Sequence, residues 1–404
     1  MTSGTHPICT FTTLTGLALA AAANICVSQD FDSFGRSEVL PEPESDWVFV
    51  NYSLVDVTDD HFLGLIGAAQ TGRPTAIEYS HDGTSLFLVE TFYTRGNRGE
   101  RTDTVTIFDT HTLGVAGEVV IPAKRALLLV VEGTLALTDN GRFLGVFNLT
   151  PATSISVVDI EKREFVGEIS TPGCSLVFSA GELSYMMICA NGDLLTVTLD
   201  ENGGEVSKAR TERFFDPEAD PIREPGVRHG DEWLFVSFDG MLHTVDVSGA
   251  MPRVGESWSL LDASDREQNW RVTGRQPLAV HRQSGRLYVL ARQNDEPLDD
   301  PADWDGTEIW SFDLATRERL QRLEARPASA DAGGAGATLG STSGDGASNI
   351  LVTQGDEPLL VTAGGTGISV RHALTGEYVH ERLENAPASG WLTLRMPQQF
   401  PPTP

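Results

Sequence analysis

The chain has 404 residues, of which 57 are acidic and 29 are basic, so its formal net charge at pH 7 is −28. A surface of this sign repels phosphate backbones and anionic lipids, which argues against nucleic acids and membrane surfaces as partners. With 40% hydrophobic and 21% charged residues, the composition is that of an ordinary soluble protein, and the chain is long enough to bury a substantial core.

The N-terminal segment is apolar and rich in small residues. Residues 11–23 read FTTLTGLALAAAA, a length that fits the hydrophobic part of a secretory signal peptide and is too short to cross a bilayer. We predict a signal peptide over residues 1–23, cleaved near Ala22 or Ala23, and an acidic, proline-containing arm over residues 24–46. The alternative for the first segment is a buried apolar strand. A signal peptide implies export of the chain.

The four cysteines fit an oxidising compartment. Cys9 would leave with the signal peptide, and Cys26 would remain in the arm. Cys174 and Cys189 each lie beside a strand-like run, at matching heights on a predicted antiparallel hairpin. Export favours a disulfide between them, which would contribute about 3 kcal/mol in the chain-entropy model. Two buried free thiols are the alternative.

One motif recurs along most of the chain. It consists of alternating apolar residues, usually an Asp, a tight turn and a second short strand. Its seven copies are anchored at Asp56, Asp109, Asp159, Asp200, Asp246, Asp313 and His372. The mean spacing of about 53 residues lies within the range for four-stranded propeller blades.

Each copy is preceded by a further strand-like run, such as GTSLFLVET from Gly83 and EWLFVSFDG from Glu232. No segment keeps a helical period for more than two or three turns. Seven antiparallel sheets stacked radially cover each other's faces and leave only short edges. We therefore predict an all-β fold, a seven-bladed β-propeller of four-stranded antiparallel blades over residues 47–396, with a C-terminal tail over residues 397–404.

Two stretches interrupt the period. Residues 295–305 are dense in Asp and Glu, which suits either a Ca²⁺ loop or a solvated acidic loop. The solvated loop is favoured because the regular ligand spacing of calcium loops is missing. Residues 328–348 are rich in Gly, Ala and Ser and are predicted to be a flexible insertion, since no βαβ unit surrounds their GGAGATLG run.

The sequence predicts no catalytic residue and no metal site in this chain. Its nine histidines are scattered, and HExxH, CxxC, GxSxG and phosphate-loop motifs are missing. His81 and His229 fall in turns and are predicted to be solvated. His281 ends a strand and is predicted to be structural.

One segment is distinctive enough to indicate a family. Residues 91–109 read TFYTRGNRGERTDTVTIFD, and their most specific part is the charged run that contains Arg98, Glu100, Arg101 and Asp103. Together with HFLGLIG from His61, PGCSLVF from Pro172 and EPLLVTAGG from Glu357, this segment resembles the heavy subunit of methylamine and aromatic amine dehydrogenases. The resemblance extends from about Val39 to Leu392.

The resemblance implies a periplasmic quinoprotein that oxidises primary amines to aldehydes and ammonia. In that family the tryptophan tryptophylquinone cofactor and the catalytic base belong to a separate small subunit. Two heavy and two light chains form a heterotetramer, and electrons pass to a blue copper protein or a cytochrome c. The spacing of Cys174 and Cys189 also matches the heavy-chain disulfide of the family.

The resemblance also marks one departure. Heavy chains of the family carry a Phe in a GGFLxNP motif that lines the substrate channel, whereas the aligned segment here is AAQTGRP over residues 68–74, with Gln70 in place of the Phe. A Gln side chain donates and accepts hydrogen bonds, so the substrate is expected to be more polar, or the gate to be supplied elsewhere. The alternative is a surface position for Gln70 with no role.

Three further questions stay open at the level of sequence. The charged run at residues 98–103 fits a structural corner or a contact with the small subunit, and the corner is favoured because buried charge networks are costly. The whole chain could be a stand-alone periplasmic propeller used as an interaction scaffold, since the fold alone does not define a function. A metal-dependent hydrolase would need inward-facing Glu, Asn, Asp or His from several blades, and the sequence shows no such set.

Overall fold

The computed structural model of the chain describes residues 39–66, 76–127, 133–293, 304–325, 346–364, 367–385 and 394–396, apart from the side chains of residues 224 and 225. In these residues the strands form seven antiparallel sheets. The innermost strands of all seven sheets line one central cavity. The fold is therefore a seven-bladed β-propeller, which confirms the architecture that the repeat predicts.

Blades 1 to 3 are built as follows, with strands given in chain order. Blade 1 contributes β1 (Trp47–Val50), β2 (Ser53–Asp56) and β3 (His61–Leu65) as its second, third and outer strands. Blade 2 contains, from the centre outwards, β4 (Ile77–Tyr79), β5 (Ser85–Tyr93), β6 (Arg101–Asp109) and β7 (Val115–Ile121). Blade 3 contains β8 (Leu135–Leu137), β9 (Phe143–Asn148), β10 (Ser154–Asp159) and β11 (Glu164–Ser170).

Blades 4 and 5 follow the same order. Blade 4 contains β12 (Cys174–Ser179), β13 (Ser184–Cys189), β14 (Leu194–Leu199) and β15 (Glu205–Arg210). Blade 5 contains β16 (Ile222–His229), β17 (Glu232–Ser237), β18 (Met241–Asp246) and an outer strand interrupted into β19 (Arg253–Val254) and β20 (Trp258–Ser259). A short helix, α1 (Ala263–Glu267), then leads to blade 6.

Blades 6 and 7 complete the ring. Blade 6 has an interrupted inner strand, β21 (Trp270–Val272) and β22 (Leu278–His281), followed by β23 (Arg286–Gln293), β24 (Glu308–Asp313) and β25 (Arg319–Glu324). Blade 7 contains β26 (Asn349–Val352), β27 (Leu359–Gly364), β28 (Gly367–His372) and β29 (Tyr378–His380). Finally, β30 (Leu394–Arg395) pairs with β1 and supplies the inner strand of blade 1, so the two ends of the propeller sequence close the ring within one sheet.

The middle strands read as continuous apolar runs because neighbouring blades cover both of their faces. In blade 3 every residue of β9 and β10 is buried. The outer strands β11 and β15 are exposed at most positions, as expected at the rim of the ring. This gradient from centre to rim explains why the sequence shows the middle strands most clearly.

The recurring Asp of the sequence motif caps the turn between the third and outer strands. Asp109 Oδ1 accepts hydrogen bonds from the backbone N–H groups of His111 and Thr112 at 3.1 and 2.8 Å. Asp246 Oδ1 accepts one from the backbone of Ser248 at 2.8 Å. A backbone N–H two or three residues further along the chain likewise donates to the carboxylates of Asp56, Asp159, Asp200 and Asp313. The repeat is therefore a series of equivalent side-chain-capped turns.

Residues 39–46, the described part of the predicted arm, are held against the propeller. The Leu40 N–H donates to His111 O at 2.7 Å, and the Val57 N–H donates to Asp46 O at 3.0 Å. Leu40 also packs against the apolar cluster shared by blades 1 and 2. Helix α1 is the one helix among the described residues, and nothing helical there has the length and apolar character needed to cross a membrane.

Candidate functional site

The connections between strands leave the ring on two faces of different character. Turns from inner to second strands and from third to outer strands lie on one face, and none of these is longer than the turns over residues 247–252 and 353–358. We call this the tight-turn face. The turns on the tight-turn face are therefore little longer than is needed to connect neighbouring strands.

The opposite face, which we call the long-loop face, is where each outer strand ends and the next inner strand begins. Six of the seven connections from an outer strand to the next inner strand are much longer, namely residues 66–76, 122–134, 211–221, 260–269, 325–348 and 381–393. The longest connection between a second and a third strand, residues 294–307 of blade 6, starts and finishes there too. Long connections on a rigid scaffold are where binding functions concentrate, so this face is the candidate partner surface.

The family-like segment forms a long hairpin whose turn lies on the long-loop face. Strands β5 and β6 have nine residues each and are the longest of the described strands. Their turn includes Gly96 and Gly99 with φ of 76° and 104°, a region that glycine enters without steric cost. Arg98 and Glu100 lie in this turn with exposed side chains. They are therefore placed to meet another molecule.

The base of this hairpin is fixed by a buried charge network around Asp103. The Asp103 side chain is fully buried. Arg101 donates to it from Nε at 2.8 Å and from Nη2 at 2.6 Å, in the bidentate geometry that gives strong charge-assisted bonds. Thr91 Oγ1 donates to Asp103 Oδ1 at 2.8 Å. The carboxylate thus ties β6 to β5.

Arg125 extends this network to the connection between blades 2 and 3. Its backbone N–H donates to Asp103 Oδ2 at 3.2 Å, and its Nε donates to Thr91 Oγ1 at 2.6 Å. Its carbonyl accepts a bond from Arg101 Nη2 at 3.0 Å. Burial lowers the pKa of Arg125, and the nearby Asp103 charge opposes that shift. The sequence did not single out Arg125, because its partners lie far away along the chain.

The charged run is therefore divided by the structure. Arg101 and Asp103 belong to the buried corner, while Arg98 and Glu100 project from the turn above it. The corner holds the hairpin in place. A contact of the exposed Arg98 and Glu100 with a small subunit stays a prediction.

The structure contains the disulfide between Cys174 and Cys189. The two residues lie directly opposite each other on β12 and β13, and both are buried. Arg210 Nη2 approaches Cys174 Sγ at 3.3 Å, while Arg210 Nη1 pairs with Asp193 at 2.7 Å. The bond joins the inner and second strands of blade 4 at the long-loop face.

Several predictions fall on residues outside the described ranges. These include Gln70, Cys26, the signal peptide, the C-terminal tail and most of the acidic loop and Gly-rich insertion. The connection that contains Gln70 leaves β3 after Leu65 and enters β4 at Ile77, both on the long-loop face. The end of the Gly-rich insertion is described, and Ala347 exchanges backbone hydrogen bonds with Gly306.

The central cavity, of about 90 Å³, is the second candidate site. Its walls carry apolar residues from the inner strands, and its polar lining includes Glu78, His81 and Asp139. In the part of the chain that the structure describes, no three His, Cys, Asp or Glu side chains are grouped so as to hold a metal ion.

The structure corrects the interpretation of two turn histidines. His81 is not simply solvated, because it is half-buried and lines the cavity, and burial lowers its pKa. His229 is also half-buried, with Nε2 at 3.3 Å from Arg282 O of the next blade. His281 is buried and bonds Ser284 Oγ and Gly355 O, as expected of a structural residue.

Comparison with known proteins gives a consistent result. The model of the methylamine dehydrogenase heavy chain family matches residues 45–328. The methylamine dehydrogenase heavy chain of Paracoccus versutus is 28% identical over 347 residues, which cover 85% of this chain and 75% of the relative. The heavy chain of Methylobacillus flagellatus is 25% identical over 285 residues, covering 66% of each chain.

Among solved structures, the dihydro-heme d1 dehydrogenase NirN in complex with DHE aligns with 91% of this chain and 78% of its own length. The TM-score is 0.51 and the sequence identity is 14%. A likeness at this level of identity supports the propeller fold and nothing further.

The sheets define a seven-bladed β-propeller whose longer connections lie on one face. The family match covers well over half of the chain, and this chain belongs to the methylamine dehydrogenase heavy-chain family. A heavy chain of an amine dehydrogenase is one subunit of a complex, and a light chain is the partner that the family implies.

Proposed function

We propose that the chain is the scaffold subunit of an exported quinoprotein amine dehydrogenase, which oxidises primary amines to aldehydes and ammonia. The observation that carries the proposal is the family match over residues 45–328, supported by relatives named as methylamine dehydrogenase heavy chains. Tryptophan tryptophylquinone, bound to a separate small subunit, supplies the oxidising chemistry. This chain holds that subunit and shapes the route to it, in a heterotetramer of two heavy and two light chains.

The small subunit docks on the long-loop face in this proposal. That face combines long connections with the hairpin turn of Arg98 and Glu100, whose base is fixed by the buried Asp103 network. A fixed base lowers the entropy that is lost when the turn is ordered against a partner. The exposed side chains of Arg98 and Glu100 then favour a partner whose surface carries charges of the opposite sign at matching positions.

The same face carries the expected substrate route. The connection that contains Gln70 begins and ends there, so a small subunit bound on this face would lie beside it. An amide at this position can hydrogen-bond a substrate where a phenyl ring cannot. We therefore propose a primary amine more polar than methylamine or phenylethylamine as the substrate.

The compartment is proposed to be the periplasm, with a blue copper protein or a cytochrome c as the electron acceptor. The apolar segment at residues 11–23 and the Cys174–Cys189 disulfide support export, because disulfides persist in oxidising compartments. Mass spectrometry of the mature chain tests this step. The expected N-terminus follows Ala22 or Ala23, and an intact N-terminus on the mature chain would contradict export by cleavage.

The function is tested by purifying the full chain, tagged at its C-terminus, from its native source. We expect a small cysteine-rich chain to copurify, with a quinone absorbance that falls when a primary amine is added and with release of ammonia. Trimethylamine is the matched control, because it has no N–H bond and cannot release ammonia. Recovery of the chain alone, or with partners that lack quinone absorbance, would favour a stand-alone interaction scaffold instead.

A further inference from the structure

Three turns of blades 3 and 4 contain an asparagine followed by a glycine. This pair occurs in the sequence at Asn140, Asn191 and Asn202 and at no other position. Asn140 lies between β8 and β9, Asn191 between β13 and β14, and Asn202 between β14 and β15. Asparagine is one of the thermolabile residues, and a following glycine has no side chain that hinders attack of its backbone nitrogen on the side-chain amide. Each of these turns is therefore a candidate for chemical modification.

The backbone of the three turns is alike. In each turn the glycine has a positive φ, between 74° and 87°. Its N–H donates to the carbonyl oxygen of the residue three positions earlier, namely from Gly141 to Thr138 at 2.7 Å, from Gly192 to Cys189 at 2.9 Å and from Gly203 to Asp200 at 3.0 Å. The attacking nitrogen is thus restrained to a similar degree in all three turns. A difference in reactivity has to come from the asparagine side chains.

Two of the three side chains are held by hydrogen bonds. Asn140 Oδ1 accepts from Thr138 Oγ1 at 2.8 Å and from the Arg142 backbone N–H at 3.1 Å. Asn191 Nδ2 donates to Asp193 Oδ2 at 2.7 Å, and Asn191 Oδ1 accepts from the Asp193 backbone N–H at 3.4 Å. A rotation of either amide towards the following glycine nitrogen has to break these bonds.

Asn202 is different, because its side chain is exposed and its amide makes no hydrogen bond with any residue that the structure describes. The turn is held instead by Asp200, whose Oδ1 accepts from the backbone N–H groups of Asn202 and Gly204 at 2.7 and 2.9 Å. The Asn202 amide can therefore rotate towards the Gly203 nitrogen without the loss of a side-chain hydrogen bond.

We propose that Asn202 is a site of spontaneous deamidation in the folded chain and reacts before Asn140 and Asn191. The Gly203 nitrogen forms a bond to Cγ of Asn202, the bond from Cγ to Nδ2 breaks, and the proton of the Gly203 N–H leaves with Nδ2 as ammonia. Water then opens the resulting succinimide ring at either carbonyl, which gives aspartate or isoaspartate. The reaction consumes water and needs no oxidant, reductant or partner.

The product disturbs a contact between blades 3 and 4. Gly203 is buried, and it lies so close to Phe143 that a Cβ at this position would be 2.7 Å from the ring. Isoaspartate carries the chain through the former side chain and so lengthens the backbone by one carbon just before Gly203. A close-packed contact does not absorb such a change without cost. We therefore expect the Tm to fall as isoaspartate accumulates at residue 202.

The test is incubation of the purified, folded full chain at mildly alkaline pH, followed by peptide mapping with mass spectrometry. Deamidation replaces the amide nitrogen by oxygen, and the resulting change in mass is followed at each of the three asparagines. We expect Asn202 to react about tenfold faster than Asn140 and Asn191, because two hydrogen bonds restrain each of the latter side chains. The chain unfolded in guanidinium is the control, and there the three sites should react at similar rates, since glycine follows each of them.

Two variants separate the effect of the unrestrained amide from other effects. Asn202→Gln should abolish the modification at residue 202, because the longer side chain has to form a larger ring that closes more slowly. This variant should have the Tm of the wild type before incubation, since the side chain is exposed. Thr138→Val removes one of the two bonds that hold Asn140 and should speed its deamidation severalfold, with the rate at Asn202 unaltered.

Equal rates at the three asparagines of the folded chain, or modification of Asn140 or Asn191 before Asn202, would overturn the proposal. An Asn202 that stays intact in the folded chain while the unfolded chain reacts would overturn it too. The turn lies on the tight-turn face, and the measurement needs no small subunit and no amine. Its outcome therefore leaves the proposed dehydrogenase function to be tested by itself.

Discussion

At the scale of single residues, the most consequential group is the carboxylate of Asp103. It is fully buried and bound by Arg101, Thr91 and the backbone of Arg125. A buried charge is tolerated only while its partners stay in place, because removing one partner leaves the other charge uncompensated. Asp103 thus turns a charged sequence run into a fixed corner beneath an exposed turn.

Asp103→Asn is expected to lower the free energy of unfolding by about 3 kcal/mol, since Arg101 keeps its charge and loses its counter-charge. Urea unfolding measures the change. Glu100→Gln in the same hairpin is the control, because Glu100 is exposed and its substitution should cost less than about 0.5 kcal/mol. Equal effects of the two substitutions would show that the corner is not a stabilising network.

Gln70→Phe tests the proposed substrate route. In the assembled complex we expect kcat/KM to fall for polar primary amines and to rise for phenylethylamine, because a phenyl ring replaces a hydrogen-bonding amide. Steady-state kinetics with both kinds of amine gives the ratio of their kcat/KM values in the variant and in the wild type. An unchanged ratio would remove Gln70 from the channel.

The sequence reveals some residues of the candidate sites and conceals others for a physical reason. Arg101 and Asp103 stand within one distinctive run and could be found. Arg228 and Asp139 form their ion pair across 89 positions of sequence, and nothing local to either residue indicates the other. His81 could not be found from the sequence, because the sequence of a turn does not indicate whether the turn lies beside the central cavity.

At the scale of elements, the capped turns explain why the fold can be predicted from the sequence. Asp109, Asp246 and their equivalents accept backbone hydrogen bonds at the same point of successive blades. The Asp and the alternating apolar residues before it therefore appear in the sequence once in each of these blades. Some inner strands are harder to recognise, because β4 and β8 have three residues each and the inner strand of blade 6 is interrupted between β21 and β22.

These turns also give a prediction for the dependence of stability on pH. Hydrogen bonds from Ser248, together with Arg253, lower the pKa of Asp246 from 3.8 to about 2. A lowered folded-state pKa means that the contribution is complete above about pH 4 and is lost as the pH falls towards 2. Asp246→Asn should therefore differ most from the wild type above pH 4 and least at pH 2, in urea unfolding at each pH. A difference that stays constant over this range would contradict the assignment.

The disulfide of blade 4 is expected to stabilise its two inner strands. Replacing Cys174 and Cys189 together by Ser should lower the free energy of unfolding by about 3 kcal/mol, in line with the size of the closed loop. Guanidinium unfolding of the double variant gives the value, and wild-type protein unfolded with reductant is the control. A double variant as stable as the oxidised wild type would show that blade packing alone fixes this hairpin.

At the scale of the whole molecule, the ring separates long connections and tight turns onto two faces. Closure of blade 1 by β1 and β30 fixes the seven sheets, and the direction of the inner strands then sends long connections to one face and tight turns to the other. The closed ring follows from the repeat in the sequence. The difference between the faces does not, because it requires knowing the direction of every strand.

Hydrogen exchange of the full chain, with and without the small subunit, tests whether this chain is a scaffold for a redox subunit. Binding of the small subunit should slow the exchange of backbone amides on the long-loop face, at residues 94–100 and around residues 122–127. The tight turn at residues 353–358 should exchange at the same rate in both states. Protection confined to the tight-turn face, or no protection anywhere in a chain purified with its partners, would contradict a scaffold that holds a redox subunit on its long connections.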